Sequence, residues 1–172
     1  RHLFGEIYDW AGTFRTVDFS KGDSAFASAR FLDGTMATIF ADLAARDGLR
    51  GLTGQRFAEA AAHHVGELNA AHPFREGNGR AMRLHLKQLA AAAGHILDVT
   101  RVPGEAWIAA SIRAFEGDEA PLARAIAGAL APPRLLTPAA ALAELREALG
   151  PAAEEIRAAA RAALARGEAR YA

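Results

Sequence analysis

Residues 72–83 of this chain bring together the side-chain types that phosphate chemistry requires. The segment reads His-Pro-Phe-Arg-Glu-Gly-Asn-Gly-Arg-Ala-Met-Arg. The imidazole of His72 is suited to accept a proton from an attacking hydroxyl, because an ordinary histidine titrates near neutral pH. Glu76 supplies a carboxylate, and Mg²⁺ is typically bound by one or two carboxylates together with substrate phosphates. The segment therefore predicts phosphoryl or nucleotidyl transfer, in which positioning and electrostatics do most of the work.

A Gly-Asn-Gly turn lies inside this segment, formed by Gly77, Asn78 and Gly79. Glycines on both sides of the asparagine let the backbone curl and let an anion approach with no Cβ in the way. Arg80 and Arg83 follow at helical spacing, so they share one face of a helix and add positive charge. The alternative is an ordinary surface turn beside a structural histidine. The combination of residue types in this order favours a polyphosphate site.

Apolar residues recur at helical spacing on both sides of the segment. The positions before it are Phe57, Ala61, Val65 and Leu68, and those after it are Met82, Leu86 and Leu89. Thr53 is a candidate cap for the first helix, and Pro73 disfavours a helical conformation at His72, so this helix should end there. Gly94 is a natural stop for the second helix. The Gly-Asn-Gly turn then lies at a helix N-terminus, where unpaired N–H groups and the helix dipole favour an anion.

Residues 72–83 resemble the signature of Fic domains, His-x-Phe-x-(Asp/Glu)-Gly-Asn-Gly-Arg-x-x-Arg, at every specified position. Residues 7–21 are similar to the family's N-terminal core helix running into its hairpin, and the resemblance extends over residues 1–130. It implies a mainly α fold, a helical bundle with a small β-hairpin flap. By this resemblance, the activity is transfer of AMP from ATP to a Tyr, Thr or Ser hydroxyl of a target protein.

The resemblance also implies roles for single residues. His72 would be the general base, Phe74 would anchor the loop in the core, and Glu76 would hold Mg²⁺. The anion site would be formed by Gly77, Asn78 and Gly79, with Asn78 near the α-phosphate, and the outer phosphates would be held by Arg80 and Arg83. A related branch of the family has Lys in place of the second glycine and acts as a kinase. Gly79 therefore favours nucleotidyl transfer.

Between residues 15 and 26, Val17 and Phe19 alternate with polar residues, and residues 21–24 read as a turn, which predicts a short hairpin. In Fic proteins a flap at this place borders the nucleotide and presents a strand edge to the target, which backbone pairing would hold. Lys21 and Gly22 are therefore candidates for nucleotide contact, and a solvated turn accounts for them equally well. Asn69 is a further candidate, with a helix-end hydrogen bond as its alternative.

Further helices are predicted from caps and apolar spacing. The first has its stripe at Leu3, Ile7, Trp10 and Phe14. The second is capped by Ser28, carries Phe31, Leu32, Met36, Ile39, Phe40 and Leu43, and closes at Asp47 and Gly48. The third opens at Pro103, faces inward with Ile108, Ile112 and Phe115, and stops at Gly117. The fourth is capped by Asp118, has Leu122, Ile126 and Leu130 on one face, and ends at Pro132 and Pro133.

Other histidines and a tryptophan have side chains that could belong to a binding site. His63 and His64 are adjacent and point to different helix faces, and no His-Glu-x-x-His pattern occurs, so one core and one surface histidine are expected rather than a zinc site. His85 and His95 are assigned no role. Trp107 is large enough to flank an adenine, with a core position as the alternative.

Composition restricts the class of partner. The 20 basic and 20 acidic residues balance, so no overall charge draws the chain to nucleic acid or to an anionic membrane. There is no cysteine, no apolar run long enough to span a bilayer and no signal-peptide pattern. The chain begins with Arg1, which favours a piece of a longer protein. Its expected location is the bacterial cytoplasm, or a recipient cell if it is a translocated effector.

The double proline at 132–133 predicts a domain boundary. Residues 1–133 would be the Fic catalytic domain, and residues 134–172 would be an Ala/Arg/Glu-rich helical extension or the start of a further module.

Regulation depends on a motif that this sequence lacks. Many Fic proteins carry an inhibitory helix with (Ser/Thr)-x-x-x-Glu-(Gly/Asn), and the nearest match, from Ser111 to Gly117, is one residue too long. The resemblance then implies a small separate antitoxin protein that carries the helix, or else an inhibitory helix in a preceding segment. Two alternatives to adenylyl transfer stay open: transfer of another nucleotidyl or phosphate-linked group, and a non-catalytic Fic-fold binding module.

Overall fold

The computed structural model describes residues 3–18, 20–21 and 24–131. Within these residues the helices are α1 (Leu32–Ala45), α2 (Gly54–Ala71), α3 (Asn78–Ala92), α4 (Gly104–Phe115) and α5 (Ala120–Ala129). Strands β1 (Ser20–Lys21) and β2 (Ser24–Ala25) form an antiparallel hairpin in which Ser20 pairs with Ala25. Single 3₁₀ turns lie at 29–31, 47–49 and 99–101. The predicted mainly α fold with a small hairpin is confirmed.

Helix α2 lies at the centre of the bundle and packs against α1, α3, α4 and α5. Phe57, Ala58, Ala61 and Ala62 are completely buried on it. Alanine favours the helix and lets neighbouring helices approach closely, whereas Phe57 contributes about 1.5–3 kcal/mol through the burial of its ring. The C-terminal end of α2 is therefore held by packing over the whole length of the helix.

The predicted boundaries of the central pair are confirmed. Helix α2 begins directly after Thr53 and ends at Ala71, one residue before His72. Helix α3 begins in the Gly-Asn-Gly turn and ends at Ala92, and Gly94 follows with a φ of 87°. Its buried side is the predicted stripe of Met82, Leu86 and Leu89. Thr53 makes no side-chain capping bond, so its position alone marks the start of α2.

The helix predicted through residues 3–14 is wrong, because this stretch consists of turns. The N–H groups of Ile7 and Tyr8 both donate to the carbonyl of Phe4, and the bonding does not continue as a helix. Ile7 is 67% exposed. Gly5 weakens the helix and Gly12 turns the chain with a φ of 84°. Too few residues lie between these glycines to offset the cost of starting a helix.

The inward face predicted for α4 is wrong, whereas α1 buries Leu32, Met36 and Ile39 of the residues predicted on it. Phe31, directly before α1, is 57% exposed, and Phe40 on α1 is 43% exposed. On α4, Ile108 and Ile112 are 56% and 50% exposed. Helix α4 instead buries Trp107, Ala110 and Ala114. Alanine lets α4 lie close to α2 and α5, so the small-residue face packs inward although the isoleucine face is more apolar. This choice between two apolar stripes is made by the neighbouring helices.

The predicted caps of α1 and α5 differ in outcome. Ser28 precedes a 3₁₀ turn rather than α1, and its hydroxyl donates to Asp18 instead of receiving a bond from the helix. Asp18 is exposed, and its pKa is lowered chiefly because it accepts a hydrogen bond from the backbone N–H of Ala29. Asp118 lies one residue before Glu119, the N-cap of α5, and accepts a bond from the N–H of Ala120, so the predicted cap is displaced by one residue. Leu130 lies one residue beyond α5.

Several predictions fall outside the described residues. These are the proline boundary at 132–133, the helical extension 134–172, Phe19 and Gly22. Among the helices that are described, none is long and apolar enough to cross a membrane.

Candidate active site

The imidazole of His72 lies at the end of α2. His72 has a left-handed backbone with φ 45°, and its N–H still donates to the carbonyl of Leu68 at 3.0 Å. A non-glycine residue in this conformation costs on the order of 1–3 kcal/mol, so the surroundings must hold it. The ring of Phe26 stacks on the imidazole, with ring centroids 3.9 Å apart and planes 17° from parallel. Phe26 directly follows β2, so the hairpin contacts the candidate base.

Arg15 holds the backbone at the same place, and the sequence analysis assigned it no role. Its side chain is fully buried. Nε donates to the carbonyl of His72 at 2.9 Å, and Nη2 donates to the carbonyl of Ala71 at 3.2 Å. The backbone N–H of Arg15 donates to the carbonyl of Pro73 at 2.8 Å. A buried cation is favourable here because the C-terminus of α2 presents unpaired carbonyl groups and negative dipole charge.

Asn78 closes the loop between α2 and α3. Its Oδ1 accepts from the N–H of Phe74 at 2.9 Å, and its Nδ2 donates to the carbonyl of Phe74 at 2.7 Å. The asparagine is buried, at 4% exposure. Its amide thus fixes the loop, and the place near the α-phosphate that the resemblance implies for Asn78 stays a prediction. Phe74 itself is half-buried, and its ring lies 5.9 Å from that of Phe14.

The two glycines of the turn serve different purposes. Gly77 has a φ of 81°, and a Cβ there would lie 2.4 Å from the ring of Phe4. Gly77 is therefore required by the fold. A Cβ on Gly79 would meet no atom within 4 Å. The first turn of α3 consequently has open space beside Gly79, and a helix N-terminus with such space can offer N–H groups to an anion.

The charged residues beside the turn are exposed. Glu76 pairs with Arg80 at 3.2 Å, and their side chains are 59% and 64% exposed. The guanidinium of Arg80 also lies 4.5 Å from the centre of the Phe4 ring. A cleft of about 290 Å³ adjoins Glu76 and Gly77 on the side of Phe4.

Arg83 has a different environment, half-buried towards α4. Its Nη2 donates to the carbonyl of Val102 at 3.3 Å, and its guanidinium lies 5.2 Å from the ring centre of Trp107. Trp107 is 7% exposed, so the core alternative for this residue is confirmed.

The sequence pattern of the Fic/DOC family matches residues 1–90, which include the whole loop. The chain belongs to the Fic/DOC family.

Curated relatives agree with this assignment. The chain is 41% identical over 127 residues to "Probable protein adenylyltransferase y4lH" of Sinorhizobium fredii, a match over 73% of this chain and 66% of the relative. It is 42% identical over 118 residues to "Protein adenylyltransferase VbhT" of Bartonella schoenbuchensis, over 69% of this chain and 25% of the relative. The matches therefore span less than two thirds of the length of either relative.

Solved structures show the same fold. A Fic domain of a VirB-translocated Bep effector from Bartonella quintana, with bound ADP, superposes with a TM-score of 0.70 and 29% identity over 77% of this chain and 69% of that one. The BepC effector of Bartonella tribocorum, with bound AMPPNP, gives 0.69 and 30% identity over 77% of this chain and 70% of that one.

Three further candidates in this Fic chain come from outside the loop sequence. Lys21 lies in β1 and Gly22 outside the described residues. Asn69 donates to the carbonyl of Ser111 on α4 at 3.4 Å, rather than to its own helix end. Their contact with a nucleotide stays a prediction. The residues that the structure brings together are those from His72 to Arg80, with Arg15 and Phe26 added.

The histidines of the central pair form a separate feature. His64 is buried, and its Nε2 lies 2.9 Å from Nε2 of His85. Burial, followed by the nearby His85, lowers the pKa of His64 to about 4. Burial also lowers the pKa of His85. His63 is partly exposed and contacts Glu119 at 2.8 Å, so the expectation of one core and one surface histidine is confirmed.

Proposed function

We propose that this Fic chain transfers AMP from ATP to a hydroxyl side chain of a target protein. The observation that carries the proposal is the arrangement of the loop. It joins an imidazole fixed at the end of α2 to an open N-terminus of α3, and the buried amide of Asn78 sets the loop between them. The names of the relatives and the nucleotides bound to the Bartonella effectors support the same reaction.

In the proposed reaction His72 takes the proton from the target hydroxyl. The hydroxyl oxygen then forms a bond to the α-phosphorus of ATP, and the bond from that phosphorus to the bridging oxygen of the β-phosphate breaks. Pyrophosphate leaves with the electron pair, and the proton on His72 returns to water. The N–H groups at the start of α3 stabilise the charge on the α-phosphate, because they are already oriented when charge develops.

Arg80 and Arg83 would hold the outer phosphates. Arg80 is exposed and beside the turn, so it reaches a bound anion without repacking the core. Arg83 uses one donor on Val102, and a guanidinium has five, so others remain for phosphate oxygens.

A magnesium ion fits the residues present. Glu76 is an exposed carboxylate at the edge of the anion site, and among the described residues no cluster of three or more possible metal ligands occurs. That donor set suits an ion that shares its coordination between one carboxylate and substrate phosphates. Glu76 would hold the ion, and Arg80 would then turn from Glu76 towards phosphate. When bound, Mg²⁺ supplies charge neutralisation between the carboxylate and the phosphates.

The target protein would dock at the hairpin. A two-stranded hairpin leaves strand edges with unpaired backbone groups, and an extended target segment pairs with such an edge whatever its side chains are. The stacking of Phe26 on His72 places the end of β2 next to the base. A hydroxyl on the paired segment would therefore lie close to the imidazole.

A separate antitoxin protein is proposed as the inhibitor. In the segment closest to the inhibitory motif, Ser111 donates to the carbonyl of Trp107, and Glu116 pairs with Arg113 at 3.0 Å. Glu116 is thus engaged away from Arg83.

The chain would act in the bacterial cytoplasm, or in a recipient cell, as the VirB-translocated Bartonella effectors suggest. Residues 1–133 are proposed as the catalytic domain and 134–172 as an extension or further module.

Label transfer tests the proposed function. The purified chain is incubated with Mg²⁺, bacterial or eukaryotic lysate, and ATP labelled at the α- or the γ-phosphate. His72→Ala is compared with His63→Ala, a partly exposed histidine on the same helix. The expected result is a protein band labelled from the α-phosphate alone, lost in His72→Ala and kept in His63→Ala. Label from the γ-phosphate would indicate a kinase. Label from neither, with nucleotide binding intact, would favour the binding module.

A further inference from the structure

One buried arginine connects the hairpin to the helix end that carries His72. Arg15 donates to four backbone carbonyl groups, those of Val17, Ala27, Ala71 and His72. Val17 lies on the chain that enters the hairpin, and Ala27 lies on the chain that leaves it. One guanidinium therefore bonds both arms of the hairpin and the last two carbonyls before Pro73.

Backbone bonds join the same segments. The N–H of Arg15 donates to the carbonyl of Pro73 at 2.8 Å, and the N–H of Ala27 donates to the carbonyl of Ala70 at 3.0 Å. The Phe26 ring, one residue before Ala27, stacks on the imidazole of His72. The end of α2 thus contacts each arm of the hairpin through its backbone, and it contacts the leaving arm through the side chain of the base as well.

The chemistry of this position requires an arginine. A buried cation is costly unless hydrogen bonds compensate it, and here the partners are carbonyl dipoles. The carboxylate of Asp18 lies 3.9 Å away, and its side chain is 70% exposed, so this ion pair is long and in contact with solvent. Only a planar fork with five donors reaches carbonyls of four separate residues at once. A lysine would bring the charge and a single donating nitrogen, so it would hold one segment and release another.

We propose that Arg15 is a positioning residue for the transfer reaction. It holds the left-handed backbone of His72 and sets the distance between this base and the hairpin edge at which the target hydroxyl docks. The Phe26 ring completes the arrangement as the surface on which the imidazole rests. This inference depends on the proposed function only for its effect on catalysis, because the positioning itself is a property of the free protein.

The first test is independent of activity. Because the Phe26 ring stacks on His72, its ring current should shift the proton resonances of the His72 ring in the free protein. We expect Arg15→Lys to move these resonances towards the values seen in Phe26→Leu. The matched control Arg50→Lys, which changes an exposed arginine paired with Asp47, leaves them in place. Unchanged resonances in Arg15→Lys would overturn the proposal.

The second test separates turnover from binding. Because a misplacement of about 1 Å lowers rates about 100-fold, kcat for label transfer should fall by about that factor in Arg15→Lys. The dissociation constant of ATP should change much less than kcat, because the phosphates are proposed to bind at the start of α3, away from Arg15. A rise in KM for ATP with kcat intact would refute positioning. If the wild-type chain transfers no label, the proposed function fails, and the resonances still test Arg15.

Phe26→Leu keeps the inference testable where Arg15→Lys does not fold. This variant leaves every carbonyl partner of the guanidinium in place and removes only the ring on which His72 rests. We expect kcat to fall about tenfold, with the same far-ultraviolet circular dichroism as the wild type. An unchanged kcat in Phe26→Leu would show that contact with the hairpin does not position the base.

Discussion

The two ends of the loop between α2 and α3 are constructed in opposite ways. At the end of α2, His72 is covered by Phe26, and its carbonyl bonds to a fully buried guanidinium. At the start of α3, Glu76 and Arg80 are exposed, and the position of Gly79 faces open space.

The difference matches the tasks proposed for the two ends. A base must be held within a small fraction of its reactive distance, since orientation contributes much of a rate enhancement. A phosphate site must admit and release a charged substrate, so donors there are best left in solvent until the ligand binds. The proposed base, His72, is therefore rigidly packed, whereas the groups proposed to bind phosphate are open to solvent.

Low pH should destabilise the helix pair α2 and α3, on which both ends of the loop depend. The pKa of His64 is lowered from 6.5 to about 4. As pH falls below 6.5, the unfolded chain binds a proton that the folded chain does not, so stability is lost between pH 6.5 and about 4. The loss should be up to about 3 kcal/mol. Urea unfolding across this range measures it, and His64→Gln should flatten the dependence. An equally steep dependence in that variant would assign the effect to other groups.

Gly77 and Gly79 sharpen the comparison within the turn. Gly77→Ala should lower the free energy of unfolding by about 2 kcal/mol, because φ is positive and the Phe4 ring occupies the place of the new Cβ. Gly79→Ala should change it by less than about 0.5 kcal/mol and weaken ATP binding instead, since its methyl group enters the open space. Thermal unfolding and nucleotide titration measure the two effects. Equal destabilisation by both would erase the distinction.

Asn78 tests whether the loop is set by its buried amide. Asn78→Ala removes both bonds to Phe74 and should cost about 1.5 kcal/mol of stability. Asn78→Asp keeps an acceptor for the N–H of Phe74 but places a buried carboxylate oxygen against the carbonyl of Phe74, so a loss at least as large is expected. Denaturant midpoints compare the two variants. If Asn78→Ala is as stable as the wild type, other contacts fix the loop.

Arg80 should show the smallest effect, confined to binding. Exposed ion pairs contribute little to stability, so Arg80→Gln should unfold at the wild-type temperature. Its affinity for ATP should fall about fivefold, which corresponds to about 1 kcal/mol. Arg46→Gln, which also removes an exposed arginine from a pair with an acidic residue, is the control. An unfolding temperature clearly below that of the wild type would mean that this end is also structural.

The loop and its helices could be predicted because their signals are local. Pro73 ends α2, Gly94 lies where α3 stops, and apolar residues at helical spacing gave the buried side of α3. Arg15 could not be assigned, because its bond to His72 joins residues 57 apart in the chain. The sequence indicated only that Arg15 lies in a stretch similar to Fic proteins, and it did not indicate which residues Arg15 contacts.

Other failures have the same origin. Ile108 and Ile112 form a valid apolar stripe, yet the alanine face of α4 is buried because neighbouring helices lie close. The apolar residues within 3–14 have helical spacing, but Gly5 and Gly12 prevent a helix from forming there. The use of Asn78 to fix the loop follows from the fold of the loop itself, which spacing alone does not reveal.

The empty volume above Gly79 has an evolutionary consequence. A side chain introduced there meets no atom of the described protein within 4 Å, so the fold places little constraint on what occupies the position. Most residues that define a reaction are coupled to stability, and changing them risks the whole structure. A change at position 79 has little effect on stability. Side chains at this position can therefore change in evolution, because selection on folding does not oppose the change.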